Sequence, residues 1–301
     1  MTNFIELLNF TNQTNNTLKL IECPRDAMQG IHDFIPTSTK VEYIKSLMNV
    51  GFPVIDAGSF VSPKAIPQMA DSPEVFKQLG APKEGTELLA IVANTRGASE
   101  AVAFDTISYL GFPFSVSETF QKRNTNSSIE ESLKRVEEIY ELTEKSGKKL
   151  MIYLSMAFGN PYGDPWSAEL VTNWAHKLTS MGIKYLSLAD TIGTSDSGRI
   201  TSLFETIIPA LSNVQVSAHL HARPEQVYMK AEAAYNAGCR HFDTAIKGFG
   251  GCPMASDDLT GNMATETVLT WCNEQNVASN LDESSFLKSM AQASEIFSVY
   301  H

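Results

Sequence analysis

Short apolar runs recur along the chain, and between them apolar positions return every three or four residues, the alternation expected of buried strands and amphipathic helices. The runs predict strands at Leu18–Cys23, Pro53–Phe60, Glu87–Ala93, Phe112–Glu118, Leu150–Phe158, Lys184–Asp190, Val214–His221 and Cys239–Ile246. Helix-start signals fall in the intervals. Ser128-Ile-Glu-Glu131 has the spacing of a capping box ahead of a charged helix, and Pro224-Glu-Gln opens a helix running to Asn236-Ala-Gly238. Gly51, Gly147, Gly182 and Gly238 stand where such helices should stop. Alternating strands and helices, with no glycine-rich dinucleotide turn after the first strand, predict an α/β chain folded as a (β/α)8 TIM barrel. Two further helical stretches, Asn262–Asn276 and Glu283–Val299, exceed what closing the barrel requires. They read as a C-terminal helical extension. With no linker or composition shift, the expectation is a single domain over 1–301, its barrel at about 18–260 and its last helices at about 261–301.

Composition narrows the partners. A chain of 301 residues with 43% hydrophobic content can bury a full core. Its formal charge of -11, without a basic block, argues against nucleic acid as the main partner. Cys23, Cys239, Cys252 and Cys272 show no C-x-x-C spacing, which suits reduced thiols and a cytoplasmic location. The first residues lack the features of a secretory or mitochondrial leader, and Leu150–Phe158 is too short to span a bilayer, so no membrane association is expected.

Candidate chemistry starts from His219 and His221. Two residues apart on a strand, they face the same way, with Cα atoms roughly 6–7 Å apart at a rise of about 3.3 Å per residue. Both imidazoles can then converge on one cation, although an isolated His-x-His also reads as two polar residues closing a buried strand. In a barrel of this type the residues after each strand gather at one mouth. That rule brings in Arg25 and Asp26 after the first strand, Asp56 near the end of the second, Asp190 at the end of the sixth, and Cys252 in the loop beyond the eighth. Taken singly, Arg25 and Asp26 also read as a surface ion pair, Asp190 as a cap or turn residue, and Cys252 as a small apolar filler. The loop Lys247-Gly-Phe-Gly-Gly-Cys-Pro reads as movable, which would suit a proton-transferring thiol. A carboxylate, two imidazoles and a further oxygen suit Mg2+ or Mn2+ better than zinc. Asn262 offers that oxygen, or simply caps the helix that follows it.

Several segments resemble the 3-hydroxy-3-methylglutaryl-CoA lyase family: Cys23-Pro-Arg-Asp-Ala-Met-Gln29, Val54-Ile-Asp-Ala-Gly-Ser-Phe-Val-Ser-Pro-Lys64, Ala189-Asp-Thr-Ile-Gly193, Gly250-Gly-Cys-Pro253 and Gly261-Asn262. The likeness runs in order from about Leu18 to Asn276. It implies metal-dependent retro-Claisen cleavage of 3-hydroxy-3-methylglutaryl-CoA to acetyl-CoA and acetoacetate. Asp26, His219, His221 and Asn262 would hold the metal, and Arg25 and Cys252 would be catalytic. Asp190 or a metal-site histidine would be the base, with Arg25, Gln29 and Asp56 touching substrate. Lys64, Lys122 and Arg123 are candidates for the coenzyme A phosphates. The resemblance leaves a homo-oligomer open. Three positions depart from the family pattern: Ala222 where an acidic residue commonly follows the second histidine, Asp56 in place of a glutamate, and Lys247 where a small residue is usual. The rival readings are a related acyl-CoA lyase or Claisen-type synthase, and a non-catalytic acyl-CoA-binding barrel.

Overall fold

A computed structural model describes residues 16–251 and 260–300 of the chain. Eight parallel strands close into a barrel in sequence order, and the first pairs with the last through Leu20 and Phe242. They are β1 (Lys19–Glu22), β2 (Val54–Ser59), β3 (Glu87–Ile91), β4 (Ile107–Ser115), β5 (Lys149–Ser155), β6 (Tyr185–Asp190), β7 (Gln215–Leu220) and β8 (His241–Thr244). Each is buried on both faces, which is why the sequence shows runs rather than alternation. Residues pointing inward, among them Ile21, Cys23, Val54, Leu89, Met151 and Tyr153, pack against one another inside the barrel, while their neighbours in sequence join the layer beneath the helices. This is the (β/α)8 architecture that the pattern predicts.

The fourth strand begins five residues earlier than the expected Phe112, at Ile107. Gly111, inside that strand, is a space requirement: a Cβ there would lie 2.6 Å from Ile91 Cδ1 and 2.9 Å from Tyr153 Cε2. The predicted helix signals lie at element ends. Ser128 and Glu131 exchange both bonds of the capping box, at 3.1 and 2.8 Å. Gly51 ends the helix Thr37–Val50 with φ of 90°, a conformation that costs glycine nothing. Asn262 is not a helix cap; it bridges to His221, and the helix starts at Thr265. Of the last two helices, Thr265–Glu274 follows the bridge between Ala245 and Ala264, and Glu283–Tyr300 lies against Thr37–Val50, with Ser46 and Ser289 hydroxyls 2.9 Å apart. No helix among the described residues is long and apolar enough to cross a membrane.

The closing seam contains a buried acid. Glu22 points outward from β1, is fully buried, and accepts hydrogen bonds from the Ile246 N–H (2.8 Å) and the Thr265 hydroxyl (2.6 Å). Burial pushes its carboxyl up to about 8, against the lowering effect of those two bonds. Because the folded value exceeds the ordinary 4.5, the neutral acid's stability is complete at low pH and is lost as pH rises toward 8. Glu22→Gln, which keeps the shape without the charge, is therefore expected to stabilise the protein by roughly 3 kcal/mol at pH 7, from about 1.4 kcal/mol per pKa unit. In urea unfolding the gain should grow between pH 5 and pH 8. An equal gain at both would show that Glu22 does not titrate with folding.

Candidate active site

The backbone of Cys23 still bonds to β8, its N–H lying 2.8 Å from the Thr244 carbonyl, before the chain turns at Pro24 into the short helix Pro24–Gln29. Proline suits a first helical turn, where its missing N–H would have no intrahelical partner. The helix sets Arg25, Asp26 and Gln29 over the C-terminal mouth of the barrel. Arg25 donates from Nε and Nη2 to Asp56 Oδ2 at 3.0 and 2.5 Å, and from Nη1 to Asp26 Oδ1 (3.0 Å) and Gln29 Oε1 (2.8 Å). Gln29 Nε2 in turn donates to Asp26 Oδ1 at 2.6 Å. Burial opposes the guanidinium charge, but Asp56 and Asp26 raise its pKa above the ordinary value. Asp56 faces inward from β2; burial lifts its carboxyl to about 6 even though Arg25 pulls the other way. The shorter aspartate thus keeps a direct contact with Arg25.

Ser217 and His219 point inward from β7, and the same alternation brings His221 to the mouth. Asp26, His219 and His221 each offer a ligand atom, all within 4.8 Å of one another. The two rings are set by oxygens behind them: His219 Nδ1 lies 3.0 Å from Asp243 Oδ2, and His221 Nδ1 lies 3.0 Å from the Thr191 carbonyl. A carbonyl only accepts, so His221 carries its proton on Nδ1 and presents a bare lone pair at Nε2. That nitrogen is buried and has no hydrogen-bond partner among the described residues. An orphaned imidazole nitrogen beside a carboxylate fits a metal ligand, since a buried polar atom left unpaired is otherwise costly.

Electrostatics separates the three groups. Burial alone would raise the Asp26 carboxyl, yet Arg25 and the two histidines hold it at about 2. Burial lowers His221 to about 4, helped by the neighbouring His219. Burial also works against a charged His219, but the Asp243 hydrogen bond and charge bring its pKa above the ordinary value. Near neutral pH, Asp26 is an anion, His221 a neutral donor and His219 the more basic ring.

Not every expected residue reaches the cavity. Asp190 follows Ala189, which lines it, and by alternation points outward from β6. Its carboxylate accepts from the Thr194 and Ser195 N–H groups, the Ser195 hydroxyl and the Lys230 ammonium, leaving it no role as a base facing substrate. Asn262 is in place, but its amide nitrogen faces Asp26 Oδ2 at 2.6 Å and the Phe249 carbonyl at 2.9 Å. Presenting its oxygen instead requires the amide to turn over. The described part of the glycine-rich loop is docked rather than free: Gly250, at φ 101°, approaches so closely that a Cβ would sit 2.6 Å from the Asp26 carbonyl and 2.7 Å from Asn262 Nδ2. Cys252 lies outside the described residues. Lys247 is exposed and forms no ion pair among the described residues, in keeping with a solvated charge.

The cavity over these groups measures about 610 Å³. Arg123 lines it, stacked 4.7 Å over the Tyr162 ring, whereas Lys64 is exposed outside it and Lys122 is paired with Glu118 at 3.2 Å. Arg135 also lines it, donating to the Thr125 carbonyl at 3.4 Å. In sequence Arg135 is one of many charges on the helix Ile129–Lys145 and is indistinguishable from a solvated face. Asp243 and Lys230 were equally invisible as site residues. Asp243 supplies the orienting carboxylate whose expected place, after the second histidine, is taken by Ala222. Only its location at the end of the last strand, two residues before Ala245, marks it in the sequence.

A closed parallel barrel with an arginine, a carboxylate and two oriented imidazoles at its C-terminal mouth defines a barrel enzyme with a candidate divalent-metal centre. The chain belongs to the HMGL-like family, whose model matches residues 18–292. Its sequence is 35% identical over 254 residues to the mitochondrial hydroxymethylglutaryl-CoA lyase of Bos taurus, covering 84% of this chain and 77% of that one. It is 32% identical over 266 residues to the cytoplasmic 3-hydroxy-3-methylglutaryl-CoA lyase of Rattus norvegicus, covering 88% and 77%. Among solved structures, an HMG-CoA lyase from Acinetobacter baumannii in complex with coenzyme A and 3-methylmalate superposes with a TM-score of 0.89 at 28% identity, over 96% of this chain and 93% of that one. The hydroxymethylglutaryl-CoA lyase of Pseudomonas aeruginosa gives 0.83 at 31% identity, over 94% and 93%.

Proposed function

We propose that this enzyme cleaves 3-hydroxy-3-methylglutaryl-CoA to acetyl-CoA and acetoacetate, with Mg2+ or Mn2+ held by Asp26, His219, His221 and the Asn262 amide oxygen. The observation that carries the reading is the meeting of Arg25, Asp26, His219 and His221 in one cavity with both imidazoles held from behind. A bound divalent cation supplies Lewis-acid polarisation of the substrate's hydroxyl and carbonyl oxygens. Asp243 holds His219 Nδ1, which leaves the Nε2 lone pair for the cation and none for a proton, so the tertiary hydroxyl, acidified by a bound cation, would give its proton to solvent at the cavity mouth. The carbon–carbon bond then breaks, its electrons passing into the thioester carbonyl. Arg25 faces the enolate oxygen that develops, positioned by Asp56, Asp26 and Gln29 before substrate arrives. Cys252 returns a proton to the enolate carbon. Arg123 and Arg135 place two cations on the cavity wall, which suits the phosphates of coenzyme A in a chain of net charge -11.

Purified protein supplied with the substrate is expected to release acetoacetate with Mg2+ or Mn2+, to stop on addition of chelator, and to resume when the metal is restored. Consumption of acetyl-CoA with a 2-oxo acid would make the enzyme a synthase instead. Acyl-CoA binding without turnover would make it a binding protein.

A further inference from the structure

Lys230 lies on the helix Val227–Asn236, outside the barrel wall, and its side chain is fully buried. Its ammonium reaches Asp190 Oδ2 at 2.6 Å, the His221 carbonyl at 2.7 Å and the Gly193 carbonyl at 3.0 Å. Three acceptors match its three protons. Of these, Asp190 is the last residue of β6, Gly193 lies in the turn that follows it, and the third acceptor belongs to the residue after β7. That turn also contains Thr191, whose carbonyl holds His221 Nδ1 and whose hydroxyl accepts the Met156 N–H at 2.9 Å. One cation therefore fastens the backbone of His221 and the turn that orients its ring.

Resting on the reading of the mouth as a divalent-metal centre, we propose that Lys230 is a positioning residue for that centre: its ammonium, with Asp190, locks the ends of β6 and β7 together and fixes the direction of the His221 lone pair. An apolar side chain could fill the same volume without the cost of burying a charge, so packing alone does not account for a lysine here. The contacts do. Asp190 exposes no oxygen to the cavity, and its four donors hold the turn in one shape. Lys40 offers a comparison within the same molecule: it is also buried, donating to Asp71 Oδ1 at 2.7 Å and to the Gln68 carbonyl, but its partners line no part of the metal cavity.

The test is Mn2+ affinity, followed by paramagnetic resonance on folded protein without substrate. Lys230→Met is expected to weaken Mn2+ binding about tenfold to a hundredfold, the range found when groups behind metal ligands are removed. Lys40→Met should leave the affinity unchanged while lowering the melting temperature. The double variant Asp190→Asn/Lys230→Met removes the carboxylate charge left unpaired; it should recover melting temperature but not Mn2+ affinity, and it serves in place of the single variant if that is too unstable to purify. Wild-type affinity in either Lys230 variant overturns the inference, as does equal weakening in Lys40→Met. Failure of the wild-type protein itself to bind Mn2+ removes the metal reading, a separate and prior result.

Discussion

Replacing Arg25 by methionine is expected to lower turnover of 3-hydroxy-3-methylglutaryl-CoA by about a hundredfold to a thousandfold, the usual loss when one donor to a developing oxyanion is removed. Of the five guanidinium N–H groups, four are committed to Asp56, Asp26 and Gln29, which leaves one on Nη2 for a substrate oxygen. Because that contact strengthens as charge develops, the loss should appear in kcat and in kcat/KM alike, with KM little changed. The fold should survive. Asp56 is the carboxylate most exposed to the change, and burial already holds its pKa at about 6, so without the guanidinium it protonates instead of remaining a buried anion. Arg25→Lys keeps a positive charge but not the planar fork, and should recover only part of the rate. Wild-type turnover in the methionine variant would remove Arg25 from the chemistry.

His221→Ala is expected to abolish metal-dependent turnover and, independently, to change the acid stability of the metal-free protein. The first effect follows from loss of the orphaned Nε2. The second follows from burial, which lowers the ring to about 4 from its ordinary 6.5. Between those values the unfolded chain binds a proton that the folded protein refuses, so stability is intact above pH 6.5 and drains away as pH falls toward 4. The loss amounts to about 3 kcal/mol at roughly 1.4 kcal/mol per unit. In the alanine variant that portion of the acid sensitivity should vanish, which urea midpoints at pH 7 and pH 4.5 would show. Retained metal-dependent activity would mean that His221 is not a ligand.

The barrel was legible because apolar runs and helix-end signals recur in step, and because a strand buried on both faces leaves an uninterrupted run in the sequence. The fourth strand, expected to start at Phe112, starts five residues earlier because it runs straight through Gly111, which the crowded barrel interior demands. The meeting of the candidate metal ligands was legible by a simpler rule, since two histidines two apart on a strand share a face. What failed was the same rule applied without its parity. Asp190 ends β6 one residue out of phase with Ala189, so it sits behind the wall rather than in the cavity. Groups that act through others leave no local mark: Asp243, Lys230 and Arg135 are ordinary charges until the fold places them next to His219, His221 and the cavity.

The bond between Asn262 Nδ2 and Asp26 Oδ2 joins positions 236 residues apart, and β1 has no second neighbour until β8 arrives. During synthesis, then, the first-made half of the candidate ion site cannot be completed until almost the whole chain has been made. Under the proposed assignment, ion uptake would follow closure of the ring of strands and tie the earliest and latest parts of the polypeptide together, coupling release of the ion to reopening of the seam.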